Sequence, residues 1–220
     1  MSAVMTCASD VSQPTGPGAL DFPCWMTDRL ARTESALSQW VGVDAPAGLG
    51  EAMRYAVLDG GKRLRPLLVW AAAEAVDGLQ PAAVRAGCAV ELIHAYSLVH
   101  DDMPCMDNAQ LRRGRPTVHL AFGEDIAILA AVALLSRAFG VVASIEGVRS
   151  LVRTQLVEIL ANTVGSQGLV QGQLQDLRDG KHARSEEEIA ATNNLKTGVL
   201  FSAIMDMAYL ISDAPKPVRS

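Results

Sequence analysis

From Glu124 to Ser144 the chain is almost wholly apolar (EDIAILAAVALLSRAFGVVAS), broken after its acidic start only by Ser136-Arg137. A helix that is apolar on all sides must be enclosed, by its own protein or by a partner. The segment is therefore expected to form a long helix, central or at a subunit interface. Composition points the same way. Hydrophobic residues make up 50% and aromatics 5%, with alanine and leucine abundant, a balance that favours a helical bundle over a β-sandwich. No segment shows the alternation of a half-buried strand, and there is no internal repeat or linker. At 220 residues the chain can form one domain with a sizeable core. The expected class is all-α.

Residues 1–21, rich in Pro, Gly, Ser and Thr, are expected to be disordered or loosely packed. An amphipathic helix is predicted from Phe22 to Trp40, followed by a Gly/Pro-containing connection over 42–50. Further helices are predicted from Glu51 to Leu58, from Pro66 to Val76, over 82–102, and from Gly147 to Leu177. The last starts at Ser185-Glu186-Glu187-Glu188, where acidic residues suit a first turn. It carries LKTGVLF and ends near Ser212-Asp213-Ala214-Pro215.

The chemistry is concentrated between His94 and Thr117 (HAYSLVHDDMPCMDNAQLRRGRPT). Asp101, Asp102 and Asp107 are followed by Arg112, Arg113 and Arg115. Carboxylates hold hard divalent cations, and arginines fork onto phosphate oxygens. Since Mg²⁺ commonly bridges a few carboxylates and substrate phosphates, a site for Mg²⁺ and a diphosphate is expected. His94 and Asp101, seven residues apart, share a helix face, separated by about 10 Å of rise. Pro104 disfavours helical geometry at Met103, so Asp107 should turn back towards Asp101. The helix C-terminus is itself negative, and a bound cation offsets that repulsion. A plain solvated acidic turn leaves the following arginine pair unexplained.

Upstream, GGKRLRP places Lys62, Arg63 and Arg65 at an expected helix N-terminus, where cations are unfavourable unless an anion sits among them. One reading is a phosphate site formed by Lys62 and Arg65, three residues apart on one face. The other is a solvated basic helix end. In GLVQGQLQDLRDG, Gln171, Gln173 and Asp176 interrupt an apolar pattern, and Lys196-Thr197 fall in mid-helix.

The net charge of -5 argues against a nucleic-acid binder working through basicity. Cys7, Cys24, Cys88 and Cys105 lack CxxC spacing and read as reduced thiols of a cytoplasmic protein. The apolar run Ile126–Leu135 is too short to span a bilayer, and the N-terminus lacks the pattern of a signal peptide.

Taken in order, GGKRLRP, HAYSLVHDDMPCMDNAQLRRGRPTVHLAFGE, GLVQGQLQDL and LKTG resemble the successive signatures of the trans-isoprenyl diphosphate synthases. The bacterial farnesyl and geranylgeranyl diphosphate synthases are the nearest match, over residues 25–212. The resemblance implies an isoprenoid-synthase-type helical bundle around a central cavity, with 22–220 as the polyprenyl synthase domain and the last helices absent. It implies a Mg²⁺-dependent homodimer that condenses an allylic diphosphate, dimethylallyl or geranyl, with isopentenyl diphosphate. By resemblance, Lys62, Arg65 and His94, with Arg113, bind isopentenyl diphosphate. Asp101 and Asp107 bind Mg²⁺, with Asp102 in the same cluster. Arg112 contacts the allylic diphosphate, and Lys196, Thr197 and Gln173 line the allylic side.

Tyr96 and Ser97 stand five and four residues before Asp101, at the positions that, by the same resemblance, limit chain length in the family. An aromatic there is associated with stopping at fifteen carbons, so the expected product is farnesyl diphosphate, with geranylgeranyl diphosphate as the alternative. The chain departs from the family pattern at Ala109-Gln110 and Ala131-Val132, and the second aspartate-rich motif is expected beyond Ser220. Those departures leave open a short, non-catalytic homologue acting as a partner subunit. A terpene cyclase is disfavoured, because cyclases need no isopentenyl diphosphate site.

Overall fold

The computed structural model describes residues 21–58, 60–179 and 185–212. Among them lie α1 (Phe22–Trp40), α2 (Ala47–Leu58), α3 (Leu64–Ala75), α4 (Gln80–Asp101), α5 (Val118–Phe122), α6 (Glu124–Ala143), α7 (Ser150–Val164), α8 (Leu169–Asp179), α9 (Glu186–Asn193) and α10 (Val199–Leu210). A π-helical turn, Asn194–Gly198, joins α9 to α10. The only extended pairing among the described residues is a short hairpin, β1 (Leu111–Arg112) with β2 (Arg115–Pro116). The all-α expectation holds.

The pillar of the bundle is α4, which packs against α6 on one side and α3 on another, with α1, α2 and α10 around it. Its buried surface is built largely from small residues, Ala82, Ala83, Ala86, Gly87 and Ala89, together with Val90, Leu92 and Ile93. Small side chains let the neighbouring helices come close. A Cβ at Gly87 would stand 3.2 Å from the Cα of Pro66 on α3. The outer face of α6 is different. Ala127, Ala130, Ala131, Leu134 and Ala138 are buried, whereas Ile128, Leu129 and Val132 are exposed.

Local chemistry sets the helix ends. Asp21 caps α1 by accepting from the Cys24 amide at 3.1 Å, with Pro23 in the first turn. Gly123, at φ 94, separates α5 from α6 in a conformation that favours glycine. α9 starts where the sequence suggested, and Ser185 and Glu188 close its first turn in a capping box.

Several expectations are corrected. α2 begins at Ala47, so its first turn lies inside the predicted connection. The predicted helix Gly147–Leu177 is two helices, α7 and α8, broken around Gly165 and Gly168. A Cβ at Gly168 would collide with the Thr163 carbonyl, so the chain turns there on glycine. The run Ile126–Leu135 is too short a stretch on which to judge membrane crossing. As whole helices, α4 and α6 are both long and apolar enough to cross a membrane. Protein encloses 67% of the most apolar window of α4 and 39% of that of α6. The expectation for residues 1–21 falls outside the described residues except at Asp21, as do Cys7 and the end at Asp213-Ala214-Pro215. No disulfide joins the described cysteines Cys24, Cys88 and Cys105.

One close approach ties the fold to the site. A Cβ at Gly172 on α8 would lie 2.7 Å from the backbone nitrogen of Lys196 in the π turn. We expect Gly172→Ala to lower the unfolding free energy by about 1–3 kcal/mol, the usual cost of overpacking. Denaturant unfolding measures this, and an unchanged midpoint would mean that α8 yields without cost.

Candidate functional site

Between α2 and α3 the backbone makes a sharp turn, with Gly60 at φ 100, Gly61 at φ 135 and Arg63 at φ 47. The turn borders a cavity of about 580 Å³ lined by Lys62, Arg65, Glu91, His94 and Arg113 among others. Four residues assigned to one ligand by resemblance thus meet at one place. Their route there differs from the one expected. α3 starts at Leu64, so Lys62 lies before the helix and shares no helix face with Arg65. Arg63 points inward and is buried. Arg113 reaches the turn by donating to the Gly60 carbonyl. A Cβ at Gly61 would stand 3.0 Å from the Arg113 guanidinium.

The cavity is electrostatically poised for an anion. The Nε of Arg65 is buried without a hydrogen-bond partner, and the guanidinium lies 5.7 Å from the centroid of the Phe201 ring. Burial pushes the pKa of Arg65 and of Arg113 below the usual arginine value. His94 is pushed down to about 3, first by burial and then by the charges of Arg65 and Arg113. It is therefore a neutral imidazole at physiological pH.

A second cavity, of about 400 Å³, lies between α4, α8 and the π turn. Tyr96, Ser97, Asp101, Gln173, Lys196 and Thr197 all line it, as do Arg65 and His94. Those last two residues border both cavities. Its apolar wall includes Met106 and, from α8, Leu169, Val170, Leu174 and Leu177. At its charged end, Lys196 Nζ lies 2.9 Å from Asp176 and 3.4 Å from Asp101. Burial raises the pKa of Asp101; Lys196 lowers it, and Asp107 raises it again. The Asp107 amide donates to the Asp101 carbonyl at 2.9 Å, so the chain folds back as the proline suggested. The Ser97 hydroxyl donates to the His94 carbonyl at 2.8 Å. The Tyr96 ring packs edge-on against His100, with centroids 4.7 Å apart.

Two expected residues go elsewhere. Asp102 is buried and pairs with Arg112, whose Nε donates to it at 3.1 Å. The hairpin produces this, sending Arg112 to Asp102 and Arg113 to Gly60. Asp102 and Arg112 line a separate, small cavity of about 40 Å³ and do not border the two larger ones. Asp102 is thus neutralised by Arg112 and does not stand open beside Asp101. Among the described residues no three His, Cys, Asp or Glu side chains gather to hold a metal by themselves. Asp101 and the exposed Asp107 fit an ion such as Mg²⁺, which takes one or two carboxylates and draws its remaining ligands from phosphate and water.

Sequence reasoning missed Glu91, the inward role of Arg63, and Asp176 as a partner of Lys196. It also missed the apolar wall of α8. For Glu91 a signal was present: an acid in an otherwise apolar helix, three residues before His94.

The neutral His94 has a pH consequence. Unfolded, it takes a proton as pH falls through its ordinary value of 6.5; folded, it resists until about 3. Its contribution to stability is complete above 6.5 and is lost as pH falls from there towards 3. Thermal unfolding across that range should show a shallower acid-side decline in His94→Gln than in the wild type. Parallel declines would show that His94 is not held neutral.

Known proteins share this architecture. The family model "Polyprenyl synthetase" matches residues 46–220, leaving α1 upstream of the match. A geranylgeranyl diphosphate synthase of Pantoea ananas is 48% identical over 197 residues, covering 86% of this chain and 64% of its own. The large subunit 1 of a heterodimeric chloroplastic geranylgeranyl pyrophosphate synthase of Arabidopsis thaliana is 46% identical over 179 residues, covering 80% and 48%. The chain thus spans less than two thirds of the length of these curated relatives. The apo crystal structure of an FPP/GFPP synthase from Zymomonas mobilis superposes with a TM-score of 0.83 at 38% identity, covering 90% of this chain and 73% of that one. Matched over most of its length by the family model, and 46–48% identical to curated relatives across at least four fifths of itself, the chain belongs to the polyprenyl synthetase family.

Proposed function

We propose that this chain works in a trans-prenyltransferase that condenses an allylic diphosphate with isopentenyl diphosphate. The observation that carries the reading is the pair of adjoining cavities, one basic and one apolar with an acidic mouth, sharing Arg65 and His94. A diphosphate in the basic cavity satisfies the buried Arg65 and brings its carbon chain past His94 towards the second cavity. A prenyl tail in the second cavity lies along α4 and α8, where the apolar wall keeps water from an allylic cation.

Asp101 and Asp107 are the residues that would hold Mg²⁺, which when bound supplies positive charge to the departing diphosphate. Lys196 adds a fixed cation at the same mouth. The allylic C–O bond breaks, and the double bond of isopentenyl diphosphate attacks to form the new C–C bond. The released diphosphate accepts the proton that restores an alkene. His94, neutral and without a charge of its own, borders the path between the two substrates and leaves the developing cation unopposed.

Two product lengths have specific support. Tyr96 on the cavity wall favours fifteen carbons, hence farnesyl diphosphate. The name of the Pantoea relative favours geranylgeranyl diphosphate. A homodimer joined through Ile128, Leu129 and Val132 of α6 fits the exposed outer face of that helix. The Arabidopsis relative named as a heterodimer subunit supports the alternative of a partner chain, and incubation with an active synthase followed by size exclusion separates the two.

Two measurements test the reading. Asp101→Ala combined with Asp107→Ala should abolish Mg²⁺-dependent binding of a geranyl diphosphate analogue with helical content retained; unchanged calorimetric binding refutes the metal role. Tyr96→Ala should lengthen the products made from geranyl and isopentenyl diphosphates, shifting them to twenty carbons or more. Chromatography showing the same length distribution as the wild type would mean that another residue limits product length.

A further inference from the structure

Arg63 borders the basic cavity, yet its guanidinium is committed to protein partners. Arg63 is only 3% exposed and is held from three sides. Its Nε donates to Glu34 Oε1 at 2.6 Å. One terminal nitrogen donates to Glu34 Oε2 at 3.2 Å and to the Val57 carbonyl at 2.6 Å. The other donates to Glu91 Oε1 at 2.9 Å. These bonds hold Arg63 at φ 47, a left-handed conformation that a side chain disfavours. The residue sits between Lys62 and the start of α3, so its conformation sets where Lys62 leaves the backbone and where the helix carrying Arg65 begins.

Glu34 contributes from a distance of 29 residues in sequence. It lies on α1, the helix upstream of the family match. The adjoining Thr33 fixes α1 against the core: its hydroxyl accepts from Trp70 Nε1 at 3.3 Å, and its carbonyl accepts from the Cys88 thiol at 3.9 Å. Glu34 therefore rests on an anchored turn of helix.

We infer that Glu34 is a positioning residue for the basic cavity. Through Arg63 it holds the turn over 60–65 in the shape that presents Lys62 and Arg65 to a diphosphate. The inference rests on reading that cavity as the isopentenyl diphosphate site. Glu91 shares the task, but it is buried beside Arg65 and Arg113, so its removal disturbs the cavity directly. The Glu34 side chain is 42% exposed, which makes it the cleaner probe.

Glu34→Gln keeps the shape and removes the charge. Calorimetric titration of the full chain with isopentenyl diphosphate, without Mg²⁺, should show binding weakened about tenfold, the equivalent of one charge-assisted hydrogen bond. Affinity for a geranyl diphosphate analogue with Mg²⁺ should be unchanged, and amide hydrogen exchange over residues 60–64 should accelerate. Unchanged exchange in the turn overturns the inference and leaves the reading of the cavity standing. Equal weakening of both ligands together with a lower Tm also overturns it, since that marks general packing. If the wild type binds no isopentenyl diphosphate, the reading of the cavity falls and the inference falls with it.

Discussion

The site depends on α4 being buried on one side and open on the other. Its small residues let α3 and α6 close against it, which fixes the helix rigidly. The face left over carries His94 at one cavity and Asp101 at the other, two helical turns apart. At 1.5 Å per residue that is about 10 Å, a separation no side-chain rearrangement can alter. Everything else in the site is brought to this ruler: Lys62 and Arg65 from the α2–α3 turn, Arg113 from the hairpin, Lys196 from the π turn.

The charges are arranged so that few are buried uncompensated. Arg63 has Glu34 and Glu91, Asp102 has Arg112, and Lys196 has both Asp101 and Asp176. Removing one partner of a buried pair costs far more than the pair contributes. Among the described residues three buried side-chain nitrogens lack a partner, and one of them, His119 Nε2, lies away from both larger cavities. Arg65 has a buried Nε with no partner, and Gln173 a buried Nε2 with none. Arg65 and Gln173 both border the cavity between α4 and α8, where they offer a ligand donors that are already desolvated.

Much of the fold is legible in the chain. α1 appears with the bounds read from its amphipathic pattern, and α4 and α6 within two residues of theirs. Those segments have strong periodicity or near-continuous apolar character, so local sequence and burial agree. The Gly147–Leu177 stretch reads as one helix because its apolar pattern runs on, while the break depends on the Gly168 contact with Thr163, a matter of tertiary geometry. Local spacing likewise places Asp101, Asp102 and Asp107 together. It cannot show that a hairpin ten residues on brings Arg112 back to neutralise Asp102. The inward turn of Arg63 is hidden for the same reason: Glu34 is distant in sequence, and only folding makes them neighbours.

The π turn at Asn194–Gly198 makes the reach of Lys196 a matter of chain length as well as of residue identity. Such a turn is one residue longer than the α-helical turn it replaces, so it leaves the helix before it and the helix after it out of step by about 100°. Lys196 and Thr197, which both border the cavity between α4 and α8, lie inside that surplus turn. A deletion of a single residue there would make α9 and α10 one unbroken α-helix and swing one flank around its axis. Related chains could therefore gain or lose the lysine's view of the cavity through a change of one codon in spacing, with every side chain of the motif still present.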